Sequence, residues 1–144
     1  MRRKKIEIPV KLVELEEENY HILIEISFFD GKAGVWVIDT GASKTVMDMN
    51  LEQYFTPVEN PLTEIQSMGI GDSNIDTKSG IISEIHIGKS VLHDLHVALI
   101  DLSQLNSLYH RVTKENITGL IGSDFLFRHR AVIDFKKLLL ILYI

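Results

Sequence analysis

The segment with the clearest potential for chemistry is Asp39-Thr40-Gly41-Ala42-Ser43. Its carboxylate can take or give a proton, and its two hydroxyls can donate or accept hydrogen bonds. Residues 35–38, directly before it, are all apolar, which predicts a buried strand that carries Asp39 into the interior of the domain. The alternative interpretation is an ordinary turn at the end of a strand, because Asp, Thr, Gly and Ser all favour turns.

A second segment further along the chain places two apolar residues before a glycine, Leu120-Ile121-Gly122, and a short helix is predicted to follow. Together the two segments resemble those of the retropepsin-like aspartic proteases, the single-domain relatives of pepsin. In that family an Asp-Thr/Ser-Gly triplet follows a buried strand, and an apolar-apolar-Gly segment packs beside it. The resemblance covers roughly residues 20–135, including residues 131–135, which are similar to the closing strand of bacterial members.

The resemblance implies hydrolysis of peptide bonds by two carboxyl groups that lie about 3 Å apart and share one proton. One group takes a proton from the attacking water, and the other donates a proton to the substrate. This chain has a single Asp-Thr-Gly, because Asp30, Asp124 and Asp134 lack the Thr/Ser-Gly that would have to follow. We therefore expect a two-fold homodimer in which Asp39 meets its symmetry mate.

The resemblance also assigns roles to the residues around this carboxylate. Asp39, Thr40 and Gly41 form the expected catalytic set. Thr40 is expected to lock the two catalytic loops together, and Gly41 to let the backbone approach the substrate closely. An extended peptide or protein substrate is expected to contact Ala42, Ser43, Met68, Gly69, Ile70, Gly71, Leu120, Ile121 and Gly122.

The polar tip at residues 67–75 lies between the two segments, where the family carries its flap. The resemblance implies that residues 68–73 close over an extended peptide, exclude water and offer strand-like hydrogen bonds. The alternative is an ordinary hairpin tip. This tip lacks the run of glycines and isoleucines that is common in retroviral flaps.

Short strands must position these residues, and their pattern predicts an all-β fold. Residues 20–29 and 33–38 are separated by Asp30-Gly31, which favours a tight hairpin. Further strands are predicted at residues 79–87, 91–100, 130–135 and 138–144, and short helices at residues 46–51, 101–105 and 123–128. The resemblance makes this a closed, β-barrel-like acid-protease domain over residues 1–144 with two or three short helices. Residues 1–5 are expected to be a disordered basic N-terminus.

Composition narrows the possible functions. The 144 residues carry a formal net charge of −5, which argues against a nucleic-acid partner. They include no cysteine, which excludes disulfides, thiolate metal sites and cysteine nucleophiles. The longest apolar stretch, residues 138–144, is too short to span a membrane. We therefore expect a cytoplasmic protein with no membrane partner, no metal and no cofactor.

Two alternatives to a protease remain open at this point. A binding or scaffold module with the retropepsin fold and weak or no proteolysis is disfavoured by the intact Asp39-Thr40-Gly41. An unrelated β-barrel that binds a small ligand is disfavoured by Leu120-Ile121-Gly122. The last strand also has two interpretations, since it could be part of the core or an edge that pairs across the dimer.

Overall fold

Strands make up most of the chain that the computed structural model describes, which is residues 2–59 and 78–144. The strands are β1 (Lys5–Pro9), β2 (Lys11–Glu16), β3 (Asn19–Phe28), β4 (Ala33–Ile38), β5 (Val46–Asp48), β6 (Thr56–Val58), β7 (Lys78–Ile87), β8 (Ser90–Ile100), β9 (Ile117–Ile121), β10 (Val132–Asp134) and β11 (Leu139–Tyr143). The described residues form two short helices, α1 (Ser103–Tyr109) and α2 (Ser123–Arg128), and a 3₁₀ turn at Glu52–Tyr54. The predicted tip at Met68, Gly69, Ile70 and Gly71 lies outside the described residues.

Six of these strands close into a barrel. Their order is β3-β4-β9-β5-β8-β7, and β7 returns to pair with β3. The β4–β9 and β5–β8 pairs are parallel, and the other four are antiparallel. The interior is filled by side chains, among them the fully buried Trp36, Met47 and Ile121. The all-β, closed-barrel fold expected from the sequence is confirmed.

The predicted hairpin between β3 and β4 is present at Asp30-Gly31. Gly31 has a positive φ of 83°, which glycine adopts without strain. The Asp30 carboxylate accepts hydrogen bonds from the Lys32 backbone N–H at 3.0 Å and from the Tyr54 hydroxyl at 2.8 Å. The hydrogen bond from Lys32 is the main reason that the pKa of Asp30 lies below its usual value. Asp30 therefore stabilises the turn.

The parallel pairing of β4 with β9 determines where the two sequence segments meet. Parallel strands point the same way, so the residues that follow their carboxyl ends lie at the same end of the sheet. Ile38, the last residue of β4, pairs with Ile121, the last residue of β9. Asp39 and Gly122 are the next residues of their strands, which brings the Asp39 loop beside the start of α2.

The short helix predicted at residues 46–51 is wrong, because β5 begins there. Val46 and Met47 pair with Ala98 and Leu99 of β8 on one side and with β9 on the other. Closing the barrel requires a strand between β8 and β9, and its backbone hydrogen bonds outweigh the helix preference of residues such as methionine and leucine. The turn at Glu52–Tyr54 is the only helical part of this region in the described chain.

A second, three-stranded sheet has the order β1-β11-β10. Its central strand, β11, pairs on both sides within its own chain, and Leu140 and Leu142 are fully buried. The last strand is therefore a core strand of its own chain. Lys4 and Ile144 exchange backbone hydrogen bonds of 2.6 and 2.8 Å, and Lys5 pairs with Tyr143. These two lysines are therefore ordered, whereas the sequence suggested a disordered N-terminus.

The two helices begin in different ways. The Asp101 carboxylate accepts hydrogen bonds from the hydroxyl and backbone N–H of Ser103, which lower the pKa of Asp101. At α2 the N-cap is Gly122, and no side chain caps the helix. Neither of the helices in the described chain is long and apolar enough to cross a membrane.

Candidate active site

The Asp39 loop is fixed by hydrogen bonds within itself and to β9. The backbone N–H of Asp39 donates to the carbonyl oxygen of Ile121 at 2.9 Å. The Gly41 N–H donates to Oδ1 of Asp39 at 3.0 Å, and the Ala42 N–H donates to the Asp39 carbonyl oxygen at 3.1 Å. Backbone groups thus orient the carboxylate, and its other oxygen, Oδ2, has no partner among the described residues.

The start of α2 supports this loop from behind. The Ser123 N–H donates to the Ala42 carbonyl oxygen at 2.7 Å. The hydroxyl of Thr45, whose residue is fully buried, donates to Oδ1 of Asp124 at 2.7 Å and accepts from the Gly122 N–H at 3.1 Å. One buried hydroxyl therefore joins the loop after β4 to the loop after β9. The predicted pairing of the two segments is present in the described residues.

Gly122 packs too closely against the Asp39 loop for any side chain. A β-carbon at this position would lie 2.6 Å from the Lys44 carbonyl carbon and 2.8 Å from the Ala42 carbonyl oxygen. Both are backbone atoms, so the contact could be relieved only by moving the loop. The glycine of the second segment is therefore required by packing, and it is not needed for a positive φ, since its φ is −94°.

A cavity of about 350 Å³ opens beside Asp39 and Thr40. Apolar side chains from β3, β4, α1 and β9 line it, among them Ile22, Val37, Leu105 and Leu120. Ile133 and Phe135 extend the lining towards the three-stranded sheet. Such a volume, apolar with a few polar groups, is of the size that holds a small ligand or one or two side chains of a peptide.

Comparison with known proteins identifies the family. The family model described as "Aspartyl protease" matches residues 24–125, which include both the Asp39 loop and the Gly122 segment. The chain belongs to the aspartyl protease family. This match confirms the resemblance to retropepsin-like aspartic proteases. None of the curated proteins compared with this chain matches it in sequence.

Two solved structures are similar to this aspartyl protease family member. One is a retropepsin-like aspartic protease from Rickettsia conorii, with 18% sequence identity, a TM-score of 0.48, and coverage of 98% of this chain and 91% of that chain. The other is the retroviral protease-like domain of Ddi1 from Leishmania major, with 14% identity, a TM-score of 0.47, and coverage of 85% of this chain and 91% of that chain.

Within the retropepsin-like site, only some of the predicted residues line the cavity. Asp39, Thr40 and Leu120 line the cavity. Ile121 is fully buried and Gly122 is packed against backbone, so these two residues support the loop and do not face the cavity. Two further predicted substrate contacts, Ala42 and Ser43, lie in the loop but are not part of the cavity lining, and Ser43 is exposed.

Two residues that sequence reasoning did not identify, His21 and Tyr109, also line the cavity of this retropepsin-like site. The Tyr109 hydroxyl and His21 Nδ1 lie 2.7 Å apart, and the two rings pack edge to face with centroids 5.7 Å apart. Burial, followed by the negative charge of Asp39, raises the pKa of Tyr109 to about 12. The two residues are 88 positions apart in sequence, and no local pattern links them.

A second cavity, of about 560 Å³, lies at the other end of β4. It is lined by Val35 of β4, by residues where β1 meets β2, and by Lys11 and Glu115, whose charged groups form an ion pair at 3.0 Å. No group of three His, Asp or Glu side chains in the described residues is arranged to hold a metal ion.

Proposed function

We propose that this chain is an aspartic endopeptidase that hydrolyses peptide bonds as a homodimer, with one Asp39 carboxyl contributed by each copy. The observation that carries this proposal is the placement of Asp39. Its loop is held by β9 and α2, one of its oxygens accepts a hydrogen bond from Gly41, and the carboxylate borders a largely apolar cavity. Residues 1–144 would form one catalytic domain.

The requirement for a second copy follows from the carboxyl groups near this cavity. Asp39 is the only carboxylic acid among the described residues that line it. Asp124 accepts the Thr45 hydroxyl and its own helix N–H, and Asp134 accepts two backbone N–H groups in the β10–β11 turn. These acids are engaged elsewhere, so a two-fold axis that brings two Asp39 residues together is the simplest source of the second carboxyl.

The reaction needs one proton shared between the two Asp39 carboxyl groups. The ionised carboxylate removes a proton from water as the water oxygen attacks the peptide carbonyl carbon, and the protonated carboxyl donates its proton to the carbonyl oxygen. The resulting gem-diol then loses the amine. The amine nitrogen takes a proton from the carboxyl that received one from water, and the C–N bond breaks. One of the two hydroxyls of the diol gives its proton to the other carboxylate, which leaves a carboxylic acid product and restores the starting pair.

The neighbouring residues take supporting roles in this proposal. Thr40 is exposed beside Asp39, where it can contact the partner loop, and Gly41 keeps the space next to Oδ1 of Asp39 open, because a β-carbon there would lie 3.3 Å from that atom. Leu120 would contact the substrate. The exposed Phe135, which borders the cavity and is 63% exposed, offers apolar surface that a second copy would cover.

The test is incubation of the wild-type chain and Asp39→Asn with a diverse peptide library from acidic to neutral pH. We expect cleavage by the wild type and a loss of cleavage in the variant. Equal cleavage by both chains, or cleavage by neither under conditions where a dimer forms, would contradict the proposal. Peptide binding without cleavage would favour the scaffold interpretation instead.

Sedimentation at micromolar concentration tests the dimer separately. We expect a dimer, with activity that falls on dilution as the dimer dissociates. A persistent monomer that still cleaves peptides would contradict the shared site and leave the protease assignment intact.

A further inference from the structure

The cavity beside Asp39 and Thr40 contains a hydrogen-bonded polar pair among its apolar lining residues. His21 on β3 and Tyr109 on α1 both line it, and the Tyr109 hydroxyl lies 2.7 Å from Nδ1 of His21. Tyr109 is 1% exposed and His21 is half-buried. A buried hydroxyl of this kind positions its partner, because leaving it unpaired would be costly.

The direction of this hydrogen bond determines which ring nitrogen of His21 carries a proton. The high pKa of Tyr109 keeps its phenol protonated, and the hydroxyl has no other acceptor among the described residues. Donation from the Tyr109 hydroxyl to Nδ1 leaves no buried donor unpaired. Because Nδ1 then acts as the acceptor, the ring hydrogen lies on Nε2. Nε2 has no partner among the described residues, so its N–H is free to bind a ligand in the cavity that His21 lines.

The surroundings decide which side chain such a donor would select. Ile22, Val37 and Leu120 suit an aliphatic stem, and the Nε2–H suits an oxygen at the end of that stem. Asp39 shares the cavity and, when ionised, repels a second carboxylate. A neutral carboxamide on a two-carbon stem, as in glutamine, satisfies both conditions.

We propose that His21, oriented by Tyr109, is a specificity-determining residue that selects a glutamine side chain next to the scissile bond. This inference rests on the proposed function, since it describes the substrate of the same site. Glutamine and methionine have similar size and shape, so the comparison between them isolates the hydrogen bond from the packing of the stem.

The test compares one cleavable peptide with four variants that carry Gln, Met, Glu or Leu at each position flanking the scissile bond. For the wild type we expect kcat/KM to be about tenfold higher for Gln than for Met at one of these positions, the discrimination that one hydrogen bond can supply. Glu should be cleaved less well than Gln.

Two substitutions assign this ratio to the polar pair. His21→Phe should reduce the Gln-to-Met ratio to about one, and His21→Gln, which keeps an N–H donor, should restore part of it. Tyr109→Phe should lower the ratio by a smaller amount, because the donor remains but its orientation is no longer fixed. His93→Phe, on the exposed face of β8, is the matched control and should leave the ratio unchanged. Thermal unfolding of each variant separates a lost fold from a lost preference.

The outcomes distinguish this inference from the proposed function. A wild-type Gln-to-Met ratio near one, or a ratio that His21→Phe leaves unchanged in a folded protein, would overturn the inference while the protease assignment stands. If the wild type cleaves none of the peptides, binding of the same fluorescent Gln and Met peptides to Asp39→Asn decides the question. Tighter binding of the Gln peptide that is lost in the His21→Phe double variant supports the inference, and equal binding overturns it.

Discussion

The two cavities at opposite ends of β4 differ in the chemistry of their lining residues. The larger, of about 560 Å³, is bordered by the Lys11–Glu115 ion pair, and the smaller, of about 350 Å³, is bordered by Asp39. At the larger cavity, the charged side chains are substantially exposed to solvent. At the smaller, a carboxylate follows a buried strand and its loop is held by backbone hydrogen bonds. The better candidate site is therefore the smaller cavity.

The same contrast extends to how each end is built. The Asp39 end depends on contacts that cannot shift, such as the Gly122 backbone against the Asp39 loop and the buried Thr45 hydroxyl. The charged groups at the other end, Lys11 and Glu115, form an ion pair that is largely open to solvent, and such pairs contribute little to stability. Substitutions at the Asp39 end should therefore have large effects on activity or stability, and substitutions of this ion pair should have small ones.

The largest expected effect is that of Asp39→Asn on activity. Asparagine keeps an acceptor for the Gly41 N–H, so the loop should hold its shape, but it cannot exchange protons with water. We expect peptide hydrolysis to fall about 10³-fold, with an unchanged thermal midpoint. Glu115→Gln, at the other cavity, is the control and should retain activity. Comparable losses in both variants would show that the comparison between the two ends is mistaken.

Gly122→Ala should have the largest effect on stability. Its β-carbon would lie 2.6 Å from a backbone carbon of Lys44, and relief requires movement of the Asp39 loop. We expect a loss of about 2–3 kcal/mol in the free energy of unfolding, measured by denaturant titration. Gly41→Ala is the matched control: its nearest atom beyond the chain neighbours is a side-chain oxygen 3.3 Å away, so it should lower activity with a smaller loss of stability. A Gly122→Ala protein as stable as the wild type would refute the packing argument.

Thr45→Val should cost somewhat less, about 1–3 kcal/mol, because it leaves the buried Gly122 N–H without its acceptor and Asp124 without one of its donors. Valine has nearly the same shape as threonine, so the loss reports the hydroxyl. Thr45→Ser keeps the hydroxyl and should recover most of the stability. A Thr45→Val protein as stable as the wild type would show that the hydrogen bonds of the hydroxyl contribute little to stability.

A smaller effect is expected on the titration of Tyr109. Its pKa of about 12 lies above the usual value of about 10, so the fold favours the protonated phenol. The stabilisation from this group is complete below about pH 10 and is lost as the pH rises towards 12. Asp39→Asn should lower the pKa of Tyr109, and Glu115→Gln should leave it unchanged. The titration of Tyr109 is obtained by subtracting the tyrosinate absorbance of a Tyr109→Phe protein. An unchanged titration in Asp39→Asn would show that the charge of Asp39 does not raise the pKa of Tyr109.

The smallest effect is expected for Lys11→Met at the larger cavity. Removing the exposed ion pair with Glu115 should change the free energy of unfolding by less than about 1 kcal/mol and leave activity within about twofold of the wild type. Denaturant titration and a peptide assay measure the two quantities. A large loss of activity would assign a functional role to the larger cavity.

Local pattern was sufficient to predict much of the fold and the position of Asp39. The apolar run before Asp39 and the Asp30-Gly31 turn are signals within a few neighbouring residues, and both led to correct strands. The β5 strand was misread because its conformation is set by its two neighbours in the barrel, whose pairing residues lie far away in sequence. Tertiary hydrogen bonding determined this strand, and local preference did not.

The site was predictable only in part for the same reason. The Thr45–Asp124 hydrogen bond joins residues 79 positions apart, and the His21–Tyr109 pair joins residues 88 positions apart. Neither pair has a sequence signature, since each depends on how the barrel closes. Ile121 and Gly122 were expected to contact the substrate, but they support the loop, and only Leu120 of this segment lines the cavity. The sequence does not distinguish these roles, since they depend on the packing.

Mixing wild-type and Asp39→Asn chains tests the shared active site most directly. A fixed amount of wild type is unfolded and refolded with increasing amounts of the variant, and peptide hydrolysis per wild-type chain is measured. If each site needs Asp39 from both copies, a ninefold excess of the variant leaves about one wild-type chain in ten with a wild-type partner, and activity falls to about one tenth. Activity that stays constant, while excess Glu115→Gln adds activity as an intact chain should, would show that one chain carries a complete site.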